Sequence, residues 1–353
     1  MIGISDIEAA ARLIAGHVVR TPTVESPGLS ALLGVPVTAK LELLQRTGSF
    51  KARGATAKLL SLNEADRAAG VVAVSGGNHA ISVAVMANSL GVKATVVMPK
   101  SAPARAVEIA EAAGATVRLT DTMDGAFALM AQLQADGMTM VHPFDDPLVV
   151  AGQGTVGLEL AEDAPGLGAG VGSGGGSGSG AGVGSGSGSG SDAASAEGTG
   201  LTDVLVSIGG GALISGVAAA LHARLPGVRV WGVETEGAQA MSDALAAGGP
   251  RPTQLSSIVS TLSAPTVSQL TYDHVSALVS EVLVVSDAEA VQGTLDLANH
   301  AKVWAEPAAG CLLPAARLVR ERVGGDVHLG LVLCGGNATT TDVISWAERF
   351  NLR

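Results

Sequence analysis

Lys51 is the residue whose setting first suggests chemistry. It lies in the stretch QRTGSFKARGA (45–55), directly after a Thr-Gly-Ser-Phe turn and just before an arginine and a second glycine. An amine framed in this way either caps an ordinary helix or is held in place to react. Three glycine-bearing loops could serve it. GGGALISG (209–216) follows the apolar run 203–208; its glycines let a strand-to-helix turn present successive N–H groups, and the helix start adds positive potential, which suits a phosphate. SGGNHA (75–80) follows GVVAV, and Ser75, Asn78 and the turn's amides suit a carboxylate. For His79 in that loop, a capping or packing role outweighs a catalytic one. CGGN (334–337) closes VHLGLVL, where Cys334 reads as a small buried hydrophobe.

Other clusters offer less. Cys311 and Cys334 have no companions at ligand spacing, which argues against a metal centre. HPFDDP (142–147) could pair two carboxylates, but its prolines favour a rigid loop or helix cap. GQGT (152–155) marks close backbone packing or ligand approach. A dinucleotide reading of GGGALISG, with Glu234 as the acidic residue after the next strand, lacks Gly-x-Gly-x-x-Gly in register with the helix start. A monophosphate therefore ranks above NAD. A framed lysine and a phosphate loop together point to an aldehyde cofactor bound as a Schiff base, pyridoxal phosphate.

Short β-branched runs alternate with Ala-rich segments, which predicts doubly wound α/β architecture with mostly parallel strands. GVVAVS, ATVVMP, ATVRLT, MTMVHPF, DVLVSIGGG, VRVWGVE and VHLGLVLCGGN read as strands. Ligands of such sheets bind at the carboxyl ends of strands, where the glycine loops fall. The 353 residues allow two domains, and the scarcity of aromatics (2%) implies an Ala, Val and Leu core. A formal charge of −11 argues against nucleic acid or anionic membrane as a partner. Two cysteines give no disulfide framework, the N-terminus reads as a helix with a Ser5–Glu8 capping box rather than a leader, and no apolar run reaches membrane length. A soluble cytoplasmic protein is expected. Residues 166–198, nearly all Gly, Ser and Ala, are expected to be a disordered insertion within a domain.

TGSFKARGA, SGGNHA, HPFDDP, AGQGTVGLEL, GGGALISG, GVETEGA, EPAAG and CGGN occur in the order found in fold-type II pyridoxal-phosphate enzymes. They resemble the serine/threonine dehydratase and serine racemase branch, from about residue 7 to 346. The resemblance implies a two-domain α/β fold like the tryptophan synthase β subunit. A large cofactor-binding domain would take 1–65 and 147–353, and a small domain 66–146. Lys51 would carry the cofactor with Phe50 against its ring, and Asn78 would bond its phenolic oxygen. Ser75, Gly76, Asn78 and His79 would hold the substrate carboxylate. Gly209, Gly210, Gly211 and Ala212 would cradle the phosphate through their amides. Cys334 would face the pyridine nitrogen as an uncharged partner, which weakens the electron sink and favours early loss of a β-leaving group. The implied reaction is α,β-elimination by an ammonia-lyase: Lys51 takes the Cα proton, the β-hydroxyl leaves, and the product enamine hydrolyses to a 2-oxo acid and ammonia. A small-molecule amino-acid substrate and a homodimer are implied as well.

This chain departs from that pattern in places. Gly76 stands where racemases resemble SSGNHG with a serine, so elimination is favoured over racemisation or β-replacement, the alternatives within the fold. A noncatalytic scaffold and a nicotinamide oxidoreductase rank lower. The family's divalent-cation site would use Glu234, but Ala240 replaces its last acid, leaving an incomplete set. SSIVSTLSAPT (256–266) replaces the usual Ala-Asp-Gly segment on the substrate side, which opens the substrate to bulkier β-hydroxy amino acids of the phenylserine or hydroxyaspartate type.

Overall fold

Valine-rich runs supply most of the strands in the computed structural model, which describes residues 1–164 and 200–352. The insertion expected at 166–198 lies outside those residues. The strands are β1 (Thr23–Glu25), β2 (Val37–Leu41), β3 (Val71–Val74), β4 (Ala94–Pro99), β5 (Thr116–Thr120), β6 (Thr139–Met140), β7 (Asp203–Ser207), β8 (Arg229–Thr235), β9 (Glu281–Val285) and β10 (Leu329–Leu333). Six form one sheet in the order β1-β2-β10-β7-β8-β9, parallel apart from the β1–β2 pair. The other four form a parallel sheet ordered β5-β4-β3-β6. Strands β2, β3, β7 and β10 are buried along their whole length, as strands covered by helices on both faces must be.

The expected α/β rhythm is thus observed, with three strands unforeseen (β1, β2 and β9) and one shortened. The run at 138–144 keeps only two residues in the sheet because the chain turns at His142, whose Nδ1 accepts from the Phe144 and Asp145 N–H groups at 3.2 and 2.7 Å. The Ser5–Glu8 box is replaced. The helix Ile4–Ile14 is capped at Gly3, whose N–H donates to Asp6 Oδ2 at 2.8 Å.

Three helices position the site. Pro147–Asp163 starts at Asp146, whose carboxylate accepts from Leu148 N–H at 2.8 Å. It is stacked tightly between Lys51–Leu60 and Ala212–Arg224. A Cβ on Gly152 would come within 2.8 Å of Gly54 Cα, and one on Gly216 within 2.5 Å of Gly154 N, so glycine brings both neighbours to backbone contact. Another face of Lys51–Leu60 enters the core of the four-stranded sheet, where Ala52, Ala55 and Leu59 cluster with Val71, Ala73 and Met86. The helix that begins with Lys51 is therefore wedged between the two sheets.

Beneath Lys51 lies a buried charge network. Arg53 and Lys40 are fully buried. The Arg53 guanidinium donates to Glu42 at 2.7 and 2.9 Å and to Glu159 at 2.7 and 2.8 Å, and Lys40 Nζ donates to Glu159 at 2.7 Å. Each cation meets carboxylates in bonding geometry, which offsets its desolvation.

Candidate active site

The carboxyl ends of β3, β4, β7 and β10 open onto one cavity of about 470 Å³. Phe50, Lys51, Ser75, Gly76, Asn78, His79, Gly209, Gly210, Gly211, Ala212 and Cys334 all line it, so residues far apart in the chain converge.

Lys51 opens its helix, and its Nζ donates to the Pro143 carbonyl at 2.9 Å and lies 5.2 Å from the centroid of the Phe50 ring. Burial lowers the amine from its ordinary 10.5 to about 8, which makes the neutral, nucleophilic form accessible near physiological pH. Cys334 accepts from Ser207 Oγ at 3.4 Å. Burial pushes its thiol up to about 12, so it stays neutral.

Two helix starts face the same space. Gly211 adopts φ +92°, a left-handed turn that sends the chain from β7 into Ala212–Arg224. Among the described residues, the N–H groups of Gly209, Gly210, Gly211 and Ala212 have no backbone acceptor. Four free amides at a helix start form an anion cradle. The second start is Asn78–Ser89, with Ser75 Oγ accepting from Gly77 N–H at 3.1 Å. His79 is buried, and its Nε2 lies 2.8 Å from the Val141 carbonyl. Burial and then Lys51 hold its ring down at about 3, so it is neutral.

Glu306 is a site residue that sequence reasoning left without a role. It lies in EPAAG, a motif already noted, but nothing in the motif shows its partner. Its Oε1 accepts from Asn78 Nδ2 at 2.7 Å, while Asn78 Oδ1 accepts from Asn337 Nδ2 at 2.8 Å. The Asn78 amide is thereby fixed in orientation, with one of its two N–H groups committed to Glu306. Pro143 and Phe144 were likewise unassigned; both line the cavity, and the Phe144 ring lies across Gly210.

Glu234, the possible cation ligand of the sequence reading, stands apart from the cavity. Its carboxylate lies off the cavity and accepts from Met241 N–H, Ser242 N–H and Ser242 Oγ at 2.8, 2.9 and 2.7 Å. It binds the first turn of Ala240–Ala247, a task that occupies both oxygens. Among the described residues, no group of three His, Cys, Asp or Glu side chains is placed to hold a metal. No helix among them is long and apolar enough to cross a membrane.

A model of pyridoxal-phosphate dependent enzymes matches residues 14–196 and 189–335. The chain belongs to that family. Among its relatives, L-threonine ammonia-lyase of Thermotoga maritima is 36% identical over 340 residues, covering 96% of this chain and 76% of the relative. Phenylserine dehydratase of Ralstonia pickettii is 35% identical over 337 residues, covering 94% and 91%. The structure of maize serine racemase superposes with a TM-score of 0.82 at 30% identity, covering 99% of this chain and 97% of that one. The family's cofactor fits the residues present: an amine of lowered basicity for an aldehyde, four free amides for a phosphate, and a neutral thiol.

Proposed function

We propose that the protein is a pyridoxal-phosphate-dependent ammonia-lyase that eliminates water from a β-hydroxy amino acid of the threonine or serine type, giving a 2-oxo acid and ammonia. The observation that carries this reading is one cavity holding the weakly basic Lys51 amine, two amide-lined helix starts and an un-ionised Cys334. Pyridoxal phosphate, when bound, supplies an electron sink conjugated to the amino acid's Cα.

The chain's own residues do the rest. The amides of Gly209, Gly210, Gly211 and Ala212 would hold the phosphate, and Phe50 would pack against the ring. Asn78, steadied by Glu306 and Asn337, offers its remaining N–H to the phenolic oxygen. Ser75 Oγ and the amides of Asn78 and His79 bind the substrate carboxylate beside Gly76. Lys51 would hold the cofactor, and its Nζ would take the Cα proton of the bound substrate as the Cβ–O bond breaks and the β-hydroxyl leaves as water. The neutral Cys334 would add no charge beside the cofactor's ring, which would favour departure of the β-hydroxyl. Gly76 brings no proton donor to the opposite face of Cα, which favours elimination over racemisation.

The same reading divides the chain into a large domain (1–65 with 147–353) and a small one (66–146), and takes the protein as a cytoplasmic homodimer. The decisive measurement is oxo-acid release from threonine and serine. Lys51→Ala is expected to lose roughly 10³-fold or more of it. A variant that kept the wild-type rate would sink the assignment.

A further inference from the structure

The mouth of the active-site cavity carries an apolar rim that the elimination chemistry does not require. Met123 and Phe127, one helical turn apart on Met123–Ala135, line the cavity from one side, and Leu255 lines it from a segment far along the chain. All three are large hydrophobics left about 40% exposed. Exposed apolar side chains gathered from separate segments at the mouth of a ligand site mark a surface that an apolar group covers. Ala102, Pro103 and Pro265 add further apolar lining, with both prolines exposed.

The charges point the same way. Among the described lining residues Lys51 is the sole lysine and there is no arginine, and Lys51 is the group that would hold the cofactor. Asp124, between Met123 and Phe127, is an exposed acidic side chain at the mouth. A substrate with a second carboxylate would find no cation there and would meet a like charge. We infer that the preferred substrates are β-hydroxy amino acids bearing a bulky, uncharged and apolar group on Cβ, of the 3-phenylserine class, with Met123, Phe127 and Leu255 packing against that group and Asp124 repelling dicarboxylic analogues. The inference rests on the ammonia-lyase reading and deepens it.

The test is a substrate panel on the holoenzyme: L-threo-3-phenylserine, L-threonine and L-threo-3-hydroxyaspartate, with 2-oxo acid as product. The expected kcat/KM is about tenfold or more higher for phenylserine than for threonine, and lowest for hydroxyaspartate. Phe127→Ala and Met123→Ala, both exposed and therefore harmless to the core, should each lower phenylserine kcat/KM about tenfold, mainly through KM, and narrow its ratio to threonine. Asp124→Lys should raise kcat/KM for hydroxyaspartate. Calorimetry adds a reading independent of turnover: L-phenylalanine, which has no β-hydroxyl to lose, should bind at least tenfold more tightly than L-aspartate. Threonine preferred over phenylserine, or variants that lower all substrates alike as a closure surface would, overturns the inference and leaves the ammonia-lyase reading standing. If no panel member yields an oxo acid, the ammonia-lyase reading fails, and the calorimetric ratio still decides the apolar preference.

Discussion

Glu306→Gln keeps the shape of a buried side chain and removes its titration, which isolates what burial does to that carboxyl. Burial pushes the Glu306 carboxyl up from its ordinary 4.5 to about 7, against hydrogen bonds from Asn78, the Asn337 backbone and Thr261 that favour the ionised form. Linkage gives the sign. Below pH 4.5 the group is protonated in folded and unfolded chain alike and adds no pH dependence. Between 4.5 and about 7 the unfolded chain releases the proton while the folded chain keeps it, so stability falls as pH rises. Above about 7 the penalty is constant. That interval, at 1.36 kcal/mol per pH unit, makes it about 3 kcal/mol.

A glutamine carries no such penalty, but it has one acceptor oxygen where the carboxyl has two. Leaving a buried N–H unpaired costs about 1–2 kcal/mol at every pH. The variant should therefore be less stable than wild type near pH 4.5 and gain about 3 kcal/mol on it by pH 7.5. Urea unfolding of the cofactor-free protein across that range reads the difference directly. Glu234, which burial also raises to about 7, bends both curves equally and cancels. Stability curves that run parallel for the two proteins would refute the argument from burial.

Other outcomes follow from the same geometry. Because burial brings the Lys51 amine to about 8, covalent capture of pyridoxal phosphate by the apoprotein should quicken as pH rises and level off near 8, as followed by visible absorbance; a rise continuing towards 10.5 would contradict that environment. Arg53→Met leaves Glu42 and Glu159 without their shared cation and should cost roughly 3–5 kcal/mol in denaturant unfolding. Gly216→Ala sets a methyl 2.5 Å from Gly154 N and the Val150 carbonyl, backbone atoms that cannot rotate aside, so a loss of roughly 3 kcal/mol or more is expected. Gly249→Ala, with nothing within 4 Å of its added Cβ, serves as the control and should stay within about 0.5 kcal/mol of wild type.

What the sequence disclosed about this molecule divides by whether a residue's surroundings are local. The glycine loops were legible because a strand, a turn and a helix start are consecutive in the chain, and the structure draws those loops around one cavity. Strand β2 was not legible. Its residues VTAKL include a lysine and run into Glu42, which in one dimension resembles a solvated edge, yet Lys40 and Glu42 are fully buried. Their partners, Glu159 and Arg53, lie 119 and 11 residues away, on helices whose approach depends on glycines. Glu306 escaped for the same reason: its chemistry comes from Asn78, 228 residues upstream, and from a burial that only the closed cavity creates. Glu234 shows the converse. Its type and position suited a cation ligand, but two backbone N–H groups and a serine hydroxyl of the following helix start reach the carboxylate within bonding distance. A charged residue's type limits what it can do, while its partners decide which of those things it does. In this fold the partners of Lys40, Arg53 and Glu306 are set by where helices cross, which is why the setting of Lys51 could be read from the sequence and the groups that hold its surroundings in place could not.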